Sequence, residues 1–363
     1  MKLKVTQENL NKAISYVARI ANTRGTLPVL ANVLLTVEDN RLKLATTNLD
    51  IAISSYVGAQ IQTEGSLTVP ARLFQELVAG LPAGVIELEQ DAMRLKIQTN
   101  RYSSVINGVS AEEFPLMPAI EHGTALSLPA QAFKEALQQV TFAASNDESR
   151  PVLTGVLFTA ENGVLRIAST DSYRLAERQI AGVNETCKLL IPATALQDVL
   201  RVIHDNTEVV DVTFDDQQVL FQMGDVELVA RLIEGNYPDY QKLIPSSFAT
   251  TAVMSRAELA NITKVTSLFA RESAGSVVLS VDEPSESIWL RAVASQLGEN
   301  NASATVQATG SGSITLNSRY ILDALQVMNG KEIKIAFNGK VEPVLLTDPT
   351  KEEYLHIIMP LKS

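Results

Sequence analysis

The feature that most constrains this chain is an internal repeat whose period is about one third of its 363 residues. An alternating apolar run followed by a segment of helical spacing occurs three times: LTVPARLFQELVAGLP from 67, LLIPATALQDVLRVIH from 189 and ITLNSRYILDALQVMNG from 314. A second set of similar segments, starting at Lys4, Ser127 and Val253, has matching spacing. The period exceeds that of solenoid repeats, so each copy has the size of a domain.

We therefore expect three domains, at 1–123, 124–247 and 248–363, which are called copies one, two and three below. Strict alternation of apolar and polar residues, as in Leu42-Lys43-Leu44, predicts antiparallel strands with one solvated face. Helical spacing predicts two helices in each copy, at 7–20, 71–79, 130–144, 193–203, 256–271 and 318–328. Each copy is thus predicted to be α+β, with helices on one face of antiparallel sheets. The Pro-containing segments EEFPLMPAI from 112 and GNYPDYQKLIP from 235 are expected to be extended linkers.

Composition is that of an ordinary globular protein, with 46% hydrophobic and 20% charged residues. We expect neither a signal peptide nor a membrane span, because the amino terminus MKLKVTQENL has no apolar h-region and no apolar run is long enough to cross a bilayer. The single cysteine, Cys187, cannot form an internal disulfide, which favours a reducing, cytoplasmic location.

The formal net charge of −11 is unevenly distributed. The six predicted helices together hold nine basic and six acidic residues, whereas the remainder holds 21 basic and 35 acidic residues. If all six helices lie on one face of the molecule, that face carries a weak positive charge while the rest of the protein is acidic. A weakly positive face suits loose contact with a phosphate backbone. Lys12, Arg19 and Arg201 are the candidate contacts, and a solvated helix face is the alternative for any single helix.

No catalytic constellation is present in the sequence. The three histidines, His122, His204 and His356, show no sign of convergence, and motifs for zinc, phosphate or a nucleophilic serine are absent. An enzyme is therefore the least favoured class, and we expect no catalytic residues, no metal and no cofactor.

Four segments make the comparison with known families specific: TLPVLANVLL from 26, TDSYRLA from 170, NYPDYQKLIP from 236 and IIMPLKS from 357. They resemble, in order and spacing, the signatures of the bacterial sliding clamp family, the beta subunit of DNA polymerase III. The resemblance implies a ring-forming DNA clamp fold, with antiparallel sheets outside and two helices per domain inside. It also implies a head-to-tail homodimer that encircles duplex DNA of any sequence and that a clamp-loader complex opens using ATP.

The resemblance implies a hydrophobic cleft formed by copies two and three. Leu- or Phe-rich linear motifs of the DNA polymerase III alpha subunit, the clamp loader and other polymerases and repair proteins would bind there. Where the family often has Gly-His, this chain has Ser172-Tyr173, so preferences at the edge of the cleft are expected to differ. The implied cleft residues are Leu153, Thr170, Ser172, Tyr173, Arg174, Leu175, Pro238, Lys242, Leu243, Tyr320, Val341, Pro343, Val344, Ile357, Met359, Pro360 and Leu361.

The resemblance further implies that Arg24 and Arg150 contact DNA, with a turn arginine as the alternative for Arg24. Ile106 would lie in the dimer contact on an edge strand at 102–108, which would pair with a strand near 301–308 of the partner. Leu268 and Phe269 map to an apolar helix pair in the same contact, and the alternative is that they only cover their own sheet.

The predicted function is that of a non-catalytic processivity clamp, cytoplasmic and nucleoid-associated during replication. A diverged clamp-like scaffold that binds proteins without a DNA role is the alternative from another class.

Overall fold

The computed structural model describes residues 1–21, 27–296 and 298–361. All six predicted helices are found in these ranges. They are α1 (Gln7–Val17), α2 (Ala71–Gly80), α3 (Ala130–Val140), α4 (Ala193–Val202), α5 (Arg256–Ser267) and α6 (Ser318–Val327). Three predicted helices end three or four residues earlier than expected, α1 at Val17, α3 at Val140 and α5 at Ser267. The last turn predicted for α3 tightens into a separate 3₁₀ segment, Thr141–Ala143, and a further 3₁₀ segment, Arg271–Ser273, follows α5. None of the described helices is both long enough and apolar enough to cross a membrane.

Antiparallel strands make up most of the rest. Copy one contains β1 (Lys2–Thr6), β2 (Asn32–Glu38), β3 (Arg41–Thr47), β4 (Ile51–Gly58), β5 (Gln60–Thr63), β6 (Ser66–Pro70), β7 (Val85–Asp91), β8 (Arg94–Gln98) and β9 (Ser103–Asn107). Copy two contains β10 (Thr124–Pro129), β11 (Gly155–Glu161), β12 (Val164–Thr170), β13 (Arg174–Ala181), β14 (Cys187–Pro192), β15 (Val209–Phe214), β16 (Gln218–Met223) and β17 (Val226–Arg231). Copy three contains β18 (Thr250–Ser255), β19 (Ser276–Asp282), β20 (Ser287–Ala294), β21 (Gly298–Thr305), β22 (Gln307–Thr309), β23 (Gly312–Asn317), β24 (Glu332–Phe337), β25 (Val344–Asp348) and β26 (Lys351–Ile358).

The chain forms two compact units. One comprises Met1–Gln131 with Gln197–Leu232 and holds the sheets β5-β1-β7-β8-β9 and β10-β15-β16-β17-β4-β3-β2-β6. The other comprises Ala132–Leu196 with the chain from Ile233 onward, and holds β14-β11-β12-β13-β26-β25-β24-β18-β22 and β21-β20-β19-β23. In each unit the larger sheet joins two copies, through β4 with β17 or through β13 with β26. Successive copies therefore share continuous backbone hydrogen bonding.

The helices pack on the sheets by an apolar stripe. In α1, Thr6 caps the first turn by accepting a hydrogen bond from the Asn9 amide, and Leu10, Ile14 and Val17 are buried against β3, β4 and α2. In copy three, α5 packs in the same way on β20, β21 and α6. Each fully buried aliphatic side chain in these stripes contributes about 1.5–3 kcal/mol.

The segment 235–245 is not simply the extended linker that the sequence predicts. Residues Tyr240–Leu243 form a 3₁₀ turn, and Tyr237 and Tyr240 are buried in an apolar cluster on the face of copy two's sheet. The Tyr240 hydroxyl donates to Glu177 Oε2 at 2.5 Å, and this hydrogen bond gives the buried Glu177 carboxylate a donor. Burial of two aromatic rings holds this segment against the sheet.

Candidate functional site

The junction of β13 and β26 brings together predicted cleft residues from copies two and three. Leu175 lies directly opposite Ile357, and the Met359 amide donates to the Tyr173 carbonyl at 2.8 Å. Leu153 joins Leu175 and Ile357 in one apolar cluster, and Met359 packs against it. These four residues, Leu153, Leu175, Ile357 and Met359, are called the cleft base below.

Three of the predicted cleft residues outside the cleft base are exposed and apolar. Tyr173 is 57% exposed, Leu243 is 46% exposed, and Val341 is more exposed still. Pro238 and Lys242 are also exposed, with the Lys242 ammonium 2.8 Å from Asp239. An apolar base with an exposed aromatic and aliphatic edge favours the capture of a short peptide through its own apolar side chains.

A tight turn projects Tyr173 into solvent. Thr170 Oγ1 donates to the Arg174 carbonyl at 2.6 Å and accepts from the Ser172 amide at 3.1 Å, while Asp171 Oδ1 accepts from the Tyr173 amide at 2.9 Å. Ser172 has φ of +79°, a left-handed conformation that strains a side-chain-bearing residue by about 1 kcal/mol or more. The turn hydrogen bonds hold this strained geometry at the edge of the cleft.

Arg150, predicted to contact DNA, lies beside that turn. Its Nη1 donates to Ser172 Oγ at 3.1 Å and its Nε donates to Asp147 Oδ2 at 2.9 Å. Hydrogen bonds from Ser149 lower the pKa of Asp147, and Arg150 lowers it further. One of the two described side-chain partners of Arg150, Ser172, thus belongs to the turn at the cleft edge.

Arg174 ties copy two to copy three. It donates to Asp171 at 3.1 Å, to Asp323 of α6 at 2.6 Å and to the Phe142 carbonyl at 2.9 Å. Its guanidinium carbon also lies 4.7 Å from the centroid of the Tyr320 ring. All three nitrogens of the Arg174 guanidinium thus donate to groups of the protein itself. Arg174 therefore links copies two and three and does not offer a free cation to a bound peptide.

Val344 lies on the opposite face of the sheet from the cleft base. It pairs with Ile358, whereas Ile357 pairs with Leu175, and successive strand residues point to opposite faces. Pro343, Pro360 and Leu361 are partly buried, and the Leu361 amide donates to the Thr315 carbonyl at 2.9 Å. The end of the described chain is therefore held at the edge strand β23.

Two tyrosines that pack on the cleft base and a histidine on the opposite face of the sheet were not singled out by the sequence. Tyr237 and Tyr240 pack against the cleft base, and burial raises the pKa of both hydroxyls. His356 is fully buried, its ring 5.7 Å from that of Phe142, and burial lowers its pKa to about 3. The Tyr-Pro-Asp-Tyr segment was a signal that the linker carries aromatic anchors.

The predicted DNA-contact residues have different surroundings in the structure. Lys12 is exposed on α1, whereas Arg19 and Arg201 both approach Asp198 of α4. Burial raises the pKa of Asp198, although both arginines oppose that change. Arg24 lies outside the described residues. In the described ranges, no group of three or more His, Cys, Asp or Glu side chains is placed to hold a metal.

The predicted dimer-contact residues lie on one sheet edge and just beyond the end of α5. Ile106 is buried on β9, the last strand of its sheet, while its neighbour Val105 is exposed. Leu268 is 48% exposed and Phe269 is partly buried; both follow the end of α5 rather than lying within the helix. The strand predicted near 301–308 is represented by β21, an edge of the copy-three sheet β21-β20-β19-β23.

Comparisons with known proteins agree along the whole chain. Residues 1–118, 127–239 and 241–362 match the N-terminal, central and C-terminal domains of the DNA polymerase III beta subunit. The beta sliding clamps of Bacillus subtilis and Synechocystis are 31% and 32% identical, with at least 99% of each chain covered. The crystal structure of the Bacillus subtilis DNA polymerase sliding clamp superposes with a TM-score of 0.95 at 30% identity, covering 100% of this chain and 99% of that one. The Thermotoga maritima beta subunit superposes with a TM-score of 0.94 at 27% identity, covering the same shares. The family resemblance predicted from the sequence is confirmed: this chain belongs to the DNA polymerase III beta subunit family, the bacterial beta sliding clamps.

Proposed function

We propose that two copies of this chain close head to tail into a ring around duplex DNA and act as a non-catalytic processivity factor for a replicative polymerase. The observation that carries this proposal is the match to all three clamp domains, in order and over nearly the whole chain. We propose domain boundaries at 1–123, 124–247 and 248–363, in keeping with the sequence repeat.

The proposed closure uses the two edge strands. A strand with unpaired N–H and C=O groups is a ready template for another strand, so β9 of one protomer would pair with β21 of its partner. The exposed Leu268 would be covered in that contact together with Phe269. Such a heterologous contact closes into a ring when its rotation suits.

DNA would be retained by topology rather than by tight binding. Exposed cations such as Lys12, with Arg19, Arg24, Arg150 and Arg201 as further candidates, would contact phosphates without reading bases. Because such contacts are few, the ring stays free to slide along the DNA. The strength of the contacts falls as the salt concentration rises. A clamp of this kind works where the chromosome lies, in the cytoplasm and associated with the nucleoid.

The cleft base and its exposed edge are proposed to hold linear motifs of partner proteins. These partners include the DNA polymerase III alpha subunit, the clamp-loader complex and other polymerases and repair proteins. Leu or Phe anchors of such motifs would bury against Leu175 and Ile357, next to Tyr173 and Leu243. Binding of this type needs only an extended peptide of a few residues.

The decisive experiment measures retention on nicked circular DNA after loading with a clamp loader and ATP, with the mass in solution determined in parallel. We expect a dimer that stays on circular DNA and is lost when the DNA is linearised, because a ring slides off a free end. A strict monomer without retention contradicts the proposal, and peptide binding without retention would leave only a protein-binding scaffold.

A further inference from the structure

One face of the copy-three sheet β21-β20-β19-β23 carries three exposed apolar side chains among polar ones, and the described residues leave it uncovered. Val278 is 39% exposed, Trp289 is 42% exposed and Val293 is 56% exposed. Arg291 shares this face, because it pairs with Val278 on β19 and with Asn301 on β21, and strand side chains alternate between faces. We refer to Val278, Trp289, Arg291, Val293 and Asn301 as the copy-three face.

Strand pairing identifies the equivalent positions in the other copies. Each row starts on the edge strand and crosses three further strands. The rows are Thr68–Leu34–Ala45–Ser54 in copy one, Leu190–Leu157–Ala168–Glu177 in copy two, and Thr315–Val278–Arg291–Asn301 in copy three. Position by position, Val278 therefore corresponds to Leu157 and Asn301 to Glu177.

The equivalent face of copy two is covered by the chain itself. The Ile233 amide donates to the Leu190 carbonyl at 2.8 Å, and the segment that follows packs Tyr237 and Tyr240 into the cluster that contains Leu157. Leu157 is only 7% exposed, in contrast to Val278.

Copy one uses the same edge position for its own linker. The Thr68 and Val109 amides donate to each other's carbonyls at 3.0 and 2.9 Å, and the linker then buries Phe114. In copy three the equivalent carbonyl, that of Thr315, accepts from Leu361 at 2.9 Å. Leu361 is the last described residue, and the face beyond it stays exposed.

We propose that the copy-three face is a second protein-binding surface, which receives an extended Tyr- and Pro-containing acidic segment of a partner protein. The segment would lie as residues 233–244 lie on copy two. A tyrosine ring of the partner would cover Val278 and Trp289, and its hydroxyl would donate to the Asn301 amide oxygen, as Tyr240 donates to Glu177. Arg291, which replaces Ala168, would attract a carboxylate of the segment in competition with its exposed partner Glu299, 2.6 Å away. This surface is separate from the cleft base, which uses Leu175 and Ile357.

The test uses a synthetic peptide with the sequence of residues 233–244, IEGNYPDYQKLI, titrated against the whole protein. Trp289 is the only tryptophan of the chain and the peptide has none, so tryptophan emission reports on this face alone. We expect a saturable blue shift as the ring loses water. A peptide with both tyrosines replaced by alanine should produce no shift.

Val278→Glu should weaken the peptide at least about tenfold, since binding would bury a carboxylate and that carboxylate would occupy Arg291, the strand partner of residue 278. Val209→Glu, at an exposed valine of β15, is the matched control and should leave the titration unchanged. The proposal is overturned if tryptophan emission does not change at the highest soluble peptide concentration. It is also overturned if Val278→Glu binds the peptide as tightly as the unaltered protein does. Emission that shifts with protein concentration before any peptide is added, and does so equally when Leu268→Lys blocks the proposed ring closure, would assign the face to a second copy of this chain instead.

Discussion

Leu175 and Ile357 lie opposite each other on β13 and β26, and they are only 2% and 1% exposed. They belong to different sequence copies, so the cleft base exists only where the two copies share one sheet. Such buried residues serve the fold and the cleft at once. Exposed neighbours such as Leu243 are the more specific probes of peptide binding.

Leu243→Ala should weaken a Leu/Phe-rich clamp-binding peptide by about tenfold, because a half-exposed anchor contact is lost. Its free energy of unfolding should change by less than about 0.5 kcal/mol. Leu175→Ala should lower the free energy of unfolding by about 2–5 kcal/mol as well as weakening the peptide. Calorimetric titration and denaturant unfolding of both variants test this, and equal destabilisation by the two would contradict the distinction.

Leu268→Lys should shift the protein from dimer toward monomer, because closure would bury an ammonium without a partner. Analytical ultracentrifugation over a range of concentrations measures the shift. Leu116→Lys, at an almost fully exposed linker position, is the control and should sediment like the unaltered protein. An unchanged profile for Leu268→Lys would exclude this residue from the dimer contact.

Arg174→Ala should destabilise the unit that contains the cleft by about 3–5 kcal/mol, because it leaves the Asp171 carboxylate without its cation and leaves Asp323 with only Arg319, 4.0 Å away. Arg174→Lys should recover only part of the loss, since one ammonium cannot reproduce three divergent hydrogen bonds and the stacking on Tyr320. Urea unfolding followed by circular dichroism ranks the variants. Full rescue by lysine would show that charge alone matters at this position.

Acid should destabilise the protein through His356. Its pKa is lowered by burial to about 3, against an ordinary value of about 6.5. Between these two pH values His356 is protonated in the unfolded chain and neutral in the folded chain. The neutral-histidine contribution is therefore complete above about pH 6.5 and is lost as the pH falls toward 3, by at most about 1.4 kcal/mol per pH unit.

His356→Leu should flatten the fall of the melting temperature between pH 6 and pH 4, whatever its effect on stability at neutral pH. His122→Gln, at an exposed linker position, serves as the control for loss of a histidine. A pH dependence as steep in His356→Leu as in the unaltered protein would show that other groups cause it.

Much of the fold followed from local pattern. The periodicity of the sequence placed all six helices, because an amphipathic stripe such as Leu10-Ile14-Val17 is written in consecutive turns. The linker around Tyr237 and Tyr240 was expected to be merely extended, since its burial depends on strands far away in the chain. The opposite orientations of Val344 and Ile357 likewise depend on strand register, which no single segment encodes.

The sequence by itself determined that the chain repeats one α+β pattern three times and that it belongs among the sliding clamps, because repeats, alternation and family signatures are properties of the order of residues. Only the tertiary structure decided that Leu175 lies opposite Ile357 and that Arg174 donates hydrogen bonds to Phe142 and Asp323. It also decided that Trp289 stays exposed, whereas copy two covers the equivalent face of its own sheet. The physical reason is that each of these relationships depends on long-range strand pairing and burial. Equivalent positions in three similar copies therefore acquire different neighbours and different exposure to water.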